Sequence, residues 1–150
     1  MLEKIKARAD IIGSKSYPGI RGKALFYQTD RGVIVAVEVK GLPTGITCQE
    51  PIYAFHIHEG DKCTGNDQDL FANVKTHYNP RGCNHPYHAG DMPPLFSNDG
   101  YALLIYVTNR FTVKEIIGRT VVIHDMPDDF TTQPSGNAGE KIACGVITRI

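Results

Sequence analysis

The feature of this sequence that most constrains its fold is a long stretch, from Phe55 to Asp91, that collects ligand-type side chains. Five of the six histidines of the 150-residue chain lie here, at positions 56, 58, 77, 85 and 88. Between His58 and Pro94 we find no convincing helical or strand periodicity, which is unusual in a compact domain unless the loop is functional. We therefore predict that a bound metal orders this stretch.

His56 and His58 open the stretch at a spacing of two residues. Residues i and i+2 of a strand share a face, so both imidazoles should point the same way while Phe55 and Ile57 point to the core. An isolated pair of this kind is more often solvated than metal-bound. Here, however, four further ligand-type residues follow it: His77, His85, His88 and Asp91. Together they favour metal binding.

The second half of the stretch places His85, His88 and Asp91 at intervals of three residues. A short loop can wrap these three side chains around one ion, and three nitrogens with a carboxylate oxygen suit tetrahedral zinc. Histidine-rich sites without thiolate suit copper. His124, the sixth histidine, ends an apolar run and is by default a buried, hydrogen-bonded side chain, but its place before a glycine- and proline-rich loop could equally let it complete a copper site.

Outside this stretch the sequence alternates short β-type runs with turn signals. Residues 33–40 are the clearest case, with a valine at every second position. The predicted strands are residues 4–12, 19–29, 33–40, 52–58, 95–97, 101–108, 119–124 and 141–150. Residues 4–12 could instead form a short amphipathic helix, 111–117 could take a helical turn, and 125–139 form a second long loop. About eight strands without a strong helix predict an all-β sandwich or closed barrel in a single domain, residues 1–150.

Charge and composition exclude several classes of partner and location. Sixteen basic residues balance sixteen acidic ones, which argues against a nucleic-acid or acidic-membrane partner. No apolar run approaches the roughly 20 residues of a transmembrane helix. Residues 1–6 are charged and lack the apolar segment of a signal peptide. We therefore expect a cytoplasmic protein as written, or a periplasmic or secreted one if the sequence begins after a removed leader.

From about Arg21 onward, five motifs in the same order resemble the copper/zinc superoxide dismutase family. They are Phe55-His56-Ile57-His58-Glu59-Gly60, Thr76-His77-Tyr78-Asn79-Pro80, His88-Ala89-Gly90-Asp91, Gly118-Arg119-Thr120-Val121-Val122-Ile123-His124, and Gly136-Asn137-Ala138-Gly139 with Ala143-Cys144-Gly145-Val146-Ile147. The resemblance implies an eight-stranded Greek-key β-barrel with two long functional loops, in agreement with the strand count.

The resemblance also implies two metal sites that share one residue. Copper would be held by His56, His58, His77 and His124, and zinc by His77, His85, His88 and Asp91. His77 would be a bridging imidazolate, since an imidazole between two cations can lose both ring protons. Asp128 would hydrogen-bond the far nitrogens of His56 and His85 and connect the two sites.

By the same resemblance the chain would be an oxidoreductase that converts superoxide to oxygen and hydrogen peroxide by cycling copper between two oxidation states. His77 and Lys141 would take part in catalysis, Lys141 as the cation beside the metal that guides the anionic substrate. The family allows a homodimer and a copper-delivery protein as partners. The alternative is a copper- and zinc-binding domain of the same fold that buffers or delivers metal with little activity. The presence of all six histidines and Asp91 favours the enzyme.

Cysteines and charges near the implied site set further expectations. There is no C-x-x-C pair, which argues against a thiolate zinc site. Cys63 and Cys144 match the family's intrachain disulfide, an unusual bond in a reducing cytosol. Cys48 and Cys83 could be free thiols or a second disulfide. Lys141 stands where the family usually carries arginine, and five acidic residues crowd this side with negative charge that disfavours an anionic substrate: Glu59, Asp125, Asp128, Asp129 and Glu140.

Overall fold

A computed structural model describes residues 6–150, which form one antiparallel sheet of eight strands. The strands are β1 (Lys6–Gly13), β2 (Arg21–Thr29), β3 (Gly32–Lys40), β4 (Ile52–His58), β5 (Asp91–Phe96), β6 (Ala102–Thr108), β7 (Thr120–His124) and β8 (Lys141–Arg149). Their order in the sheet is β5-β4-β7-β8-β1-β2-β3-β6, and the two end strands approach each other. The sheet is therefore a nearly closed barrel, and the predicted all-β Greek-key fold is confirmed.

The alternating pattern of β3 determines which of its faces forms the core. Val33, Val35, Val37 and Val39 have no exposed surface, whereas the residues between them face outward. A turn joins β2 to β3, with Thr29 opposite Gly32. Gly32 has a φ of 128°, which a side chain would disfavour, so glycine suits this turn. The same inward face continues on β1 and β2 and closes the barrel interior.

At the amino end, the strand interpretation of residues 4–12 is confirmed over the described part, since β1 pairs with both β2 and β8. The helical alternative is wrong for these residues. Residues 1–5 lie outside the described residues. They include positions 4 and 5 of the predicted strand and most of the charged segment on which the expected location depends. Within residues 6–150, no helix combines the length and apolar character needed to cross a bilayer.

The predicted strand at residues 95–97 was too short, because β5 begins at Asp91. Pro93 and Pro94 hid the strand signal, since proline cannot donate to a ladder. β5 pairs only with β4 and is an edge strand, where proline is tolerated. Asp91 therefore lies on a strand opposite His56 instead of in a loop.

The ambiguous segment 111–117 contains the helix α1 (Val113–Ile116). Thr112 caps it by accepting a hydrogen bond from the Glu115 backbone, while the Glu115 carboxylate accepts one from the Thr112 backbone. Gly118 follows with a φ of 87°. The helical alternative for this segment is therefore the correct one.

Two long loops complete the barrel: residues 59–90 between β4 and β5, and residues 125–140 between β7 and β8. The first contains a short 3-10 helix, Ala72–Val74. A disulfide joins Cys63 of this loop to Cys144 of β8, with the Cα atoms 5.7 Å apart. The predicted disulfide is confirmed. Cys48 and Cys83 are free thiols in the described structure, so the alternative of a second disulfide is wrong.

Candidate metal centre

The six histidines converge on the outer face of β4 and β7. His56 and His58 lie on the face of β4 opposite the core residues Phe55 and Ile57. All six imidazoles are buried, because both long loops fold over this face. A bridge between His58 and His77 docks the first loop onto β4. The spacing-of-two prediction for β4 therefore holds, and the loops supply the remaining side chains.

Asp128, from the second loop, links two of the histidines. Its carboxylate lies 2.8 Å from His56 Nε2 and 2.7 Å from His85 Nε2. An ionised carboxylate only accepts hydrogen bonds, so each imidazole must donate from Nε2. The lone pair at Nδ1 of both rings is then free, and neither Nδ1 atom has a hydrogen-bond partner within residues 6–150.

His58 and His124 present their other nitrogen, Nε2. His58 Nδ1 donates to the carbonyl of Lys75 at 2.9 Å, and His124 Nδ1 lies 3.4 Å from the carbonyl of Gly139. These bonds assign the proton to Nδ1 and leave the lone pair on Nε2. The two Nε2 atoms then face each other at 3.2 Å with no proton to share. Two lone pairs so close repel unless a cation lies between them.

A second group of donors surrounds His77 Nδ1. It lies 3.1 Å from His88 Nδ1 and 2.9 Å from the Asp91 carboxylate. His85 Nδ1 is 3.0 Å from the same carboxylate. Four ligands about 2.0 Å from a tetrahedral ion lie roughly 3.3 Å from one another. The observed separations match ligands of one ion of zinc size.

His77 belongs to both groups. Its Nδ1 faces the second group, while its buried Nε2 has no hydrogen-bond partner in the described chain. The ring centres of His56 and His77 are 4.0 Å apart and those of His58 and His77 5.0 Å apart. Its two nitrogens can therefore serve two ions at once.

The distances between donor atoms define the groups almost as the resemblance does. One set, with donor atoms within 4.8 Å of one another, is His56, His58, His77 and His124. The other is His56, His77, His85 and Asp91, which includes His56 where the resemblance places His88. Because Asp128 occupies His56 Nε2, His56 has one free lone pair and can serve one ion only. His88 is the other donor beside this group, with its Nδ1 3.3 Å from Asp91 and 3.1 Å from His77 Nδ1.

Protonation states in the cluster suit metal binding. Burial lowers the pKa of His56 to about 4 and that of His124 to about 3, and it also lowers the pKa of His58. Burial alone would raise the pKa of Asp128, but hydrogen bonds from two histidines hold it well below its usual range. Neutral imidazoles and ionised carboxylates are the forms that bind metals. The unpartnered nitrogens and this donor chemistry fit a copper and a zinc ion.

A cavity of about 400 Å³ gives access to the first group. It is lined by His58, His77, His88 and His124 together with Lys75 and Lys141. No aspartate or glutamate of the described chain lines it. The acidic residues expected on this side therefore do not line the cavity itself: Asp128 is buried against histidines, and Asp129 accepts from Thr131 and Thr132.

Sequence reasoning missed two residues that hold ligands in place. Arg110 Nη1 donates to the carbonyl of Pro86 at 2.7 Å and lies 3.4 Å from the carbonyls of His88 and Asp91. It thereby ties the zinc-side loop to the end of β6. Gly136 has a φ of 72°, and a Cβ there would lie 2.0 Å from the Asp128 carboxylate. A glycine eight residues after a loop aspartate carries no sequence signal for such an approach, and neither does a lone arginine.

Comparison with known proteins shows which family this chain resembles in sequence and fold. The sequence model of the copper/zinc superoxide dismutases matches residues 20–147. A protein of Aquifex aeolicus named copper/zinc superoxide dismutase 2 is 36% identical, covering 97% of this chain and 88% of its own. A copper/zinc superoxide dismutase of Deinococcus radiodurans is 32% identical, covering 95% and 84%. A solved SOD-like protein from Bacillus subtilis has a TM-score of 0.74 at 25% identity, covering 92% and 95%.

Proposed function

Because this chain belongs to the copper/zinc superoxide dismutase family, we propose that it disproportionates superoxide to oxygen and hydrogen peroxide at a histidine-bridged copper–zinc site. The observation that carries this proposal is the pair of donor groups that share His77. In the proposal, copper binds His56, His58, His77 and His124, and zinc binds His77, His85, His88 and Asp91. We place the site in a single domain, residues 1–150, a proposal supported by the one sheet that contains every strand of residues 6–150.

When bound, copper would supply one-electron chemistry and zinc a fixed positive charge. The protein's own groups do the rest. Two superoxide ions and two protons give one oxygen and one hydrogen peroxide, so the site must deliver protons. His77 lines the cavity, and its Nε2 has no hydrogen-bond partner within residues 6–150, so this nitrogen would hold and release a proton whenever it does not bind copper. His58 and His124 are held by backbone carbonyls and need not move.

Metal analysis beside a superoxide-consumption assay on the same sample tests this function. We expect one copper and one zinc per chain after full remetallation, with activity that follows the copper content. Zinc alone after remetallation would refute the copper assignment. Both metals bound without turnover would instead support the alternative, a domain that buffers or delivers metal.

Replacing Asp128 with asparagine should lower the affinity for both metals without unfolding the barrel. Asparagine can accept a hydrogen bond from one imidazole, but its NH₂ group cannot accept from the other. Loss of such a partner typically costs roughly 10- to 100-fold in metal affinity. We expect losses of this size for copper and zinc in a competition assay with a chelator. Asp129→Asn is the matched control, since Asp129 contacts only loop threonines and the Gly136 backbone; equal losses in both variants would contradict the role of Asp128.

The disulfide bears on where such a site would operate. Cys63–Cys144 persists most readily in an oxidising compartment. We therefore propose a periplasmic or extracellular location in preference to a reducing cytosol. We retain superoxide as the substrate, a copper-delivery protein as the metal source, and a homodimer as the assembly.

A further inference from the structure

Two lysines, Lys75 and Lys141, line the cavity that leads to the four proposed copper ligands. They differ in whether an acidic side chain pairs with them. Lys141 Nζ lies 2.6 Å from the Asp69 carboxylate, and its side chain is mostly buried. The net charge of this pair is zero. Lys75 is exposed and forms no ion pair within residues 6–150. Among the charged side chains that line the cavity, Lys75 is therefore the one that no ion pair within residues 6–150 neutralises.

The backbone of Lys75 explains why its position is well defined. It follows the 3-10 helix Ala72–Val74 with φ 62° and ψ −142°, a conformation that favours glycine over any residue with a side chain. This conformation turns the Lys75 carbonyl toward His58 Nδ1, 2.9 Å away. Glycine would perform this backbone role without strain. A lysine in a strained conformation beside a candidate functional site, where glycine would fit without strain, points to a role for its side chain.

We propose that Lys75 is the residue that guides the anionic substrate into the histidine cavity, while the Lys141–Asp69 pair contributes little net attraction. The inference rests on the proposed function, since it concerns the substrate of that site. In this proposal the Lys75 backbone does not contact the reacting atoms. Lys75 acts through its ammonium charge, which raises the local concentration of a small anion. This differs from the expectation that Lys141 is the guiding cation.

The test uses the copper- and zinc-loaded protein at low ionic strength and measures two quantities. One is the rate constant for superoxide consumption; the other is the affinity for azide, an unreactive anion, from the visible absorption of the copper site. Removing a unit charge that lies about 6 Å from an anion in water lowers the local concentration of that anion roughly threefold. We expect Lys75→Gln to lower both quantities roughly threefold and Lys75→Glu, with twice the charge change, roughly tenfold. Near 1 M salt, where the Debye length is about 3 Å, the differences should disappear.

Two further variants separate local charge from other effects. Lys40→Gln removes an exposed lysine that does not line this cavity, and it should match the parent protein. The double variant Lys141→Gln with Asp69→Asn leaves the net charge unchanged and should lose less than Lys75→Gln. A double variant that loses more than Lys75→Gln would overturn the inference and return the guiding role to Lys141.

The absorption spectrum without azide distinguishes a charge effect from a structural one. Lys75 contacts His58 through its carbonyl and not through its side chain, so the Lys75 side-chain variants should keep the parental spectrum and copper content. A changed spectrum, or parental rates and azide affinities at low salt, would overturn the inference. If the parent protein binds both metals but does not consume superoxide, the proposed function fails, yet azide affinity still tests Lys75.

Discussion

Replacing His77 with alanine is expected to abolish superoxide consumption and to weaken binding of both metals. His77 is the residue common to the two proposed ligand sets: Nδ1 lies 2.9 Å from the Asp91 carboxylate, and Nε2 is buried with no hydrogen-bond partner within residues 6–150. Removing a direct ligand should cost more than the roughly 10- to 100-fold lost with a ligand's hydrogen-bond partner. Chelator competition measures the copper and zinc affinities separately.

His88→Ala is the matched comparison for this result. His88 belongs to the proposed zinc ligands, with its Nδ1 3.3 Å from the Asp91 carboxylate. Its replacement should lower the affinity for zinc far more than the affinity for copper. By contrast, the His77 variant should lose affinity for both copper and zinc. If His77→Ala bound copper and zinc with parental affinity, the bridge would be wrong.

Removing the Cys63–Cys144 disulfide should destabilise the protein by about 4 kcal/mol, because a cross-link over so long a loop restricts the unfolded chain. The two cysteines are 81 residues apart in sequence. Cys144 also packs in a small buried cluster with Phe71, Val74 and Val122. The double variant Cys63→Ser with Cys144→Ser should therefore also loosen the first loop. Urea unfolding of the metal-free protein measures the free energy of unfolding.

Cys48→Ser is the control for the disulfide result, because Cys48 is an exposed free thiol and its replacement should leave the free energy of unfolding unchanged. Zinc affinity gives a second measurement, since the disulfide anchors the loop that carries His77, His85 and His88. An unchanged unfolding midpoint in the double cysteine variant would show that packing alone holds the loop on β8.

The fold was predictable where side-chain periodicity is strong. β3 alternates valine with outward residues, and its burial follows that alternation. β5 was largely missed because Pro93 and Pro94 weaken the local signal, whereas its edge position removes the need for their missing donors. Whether residues 111–117 were helix or strand also stayed open, and the capping contacts between Thr112 and Glu115 decide it.

For the candidate site, the sequence by itself determined the types of donor and their approximate groups, since imidazoles and a carboxylate at these spacings already suit metal ions. Only the tertiary structure decided which nitrogen of each ring is free, because that depends on partners distant in sequence, such as Asp128 for His56. It also decided which lysine at the cavity is paired: Lys141 pairs with Asp69, whereas Lys75 has no ion-pair partner within residues 6–150. Ion pairs and tautomers are set by distances in space, and spacing along a chain carries no record of them.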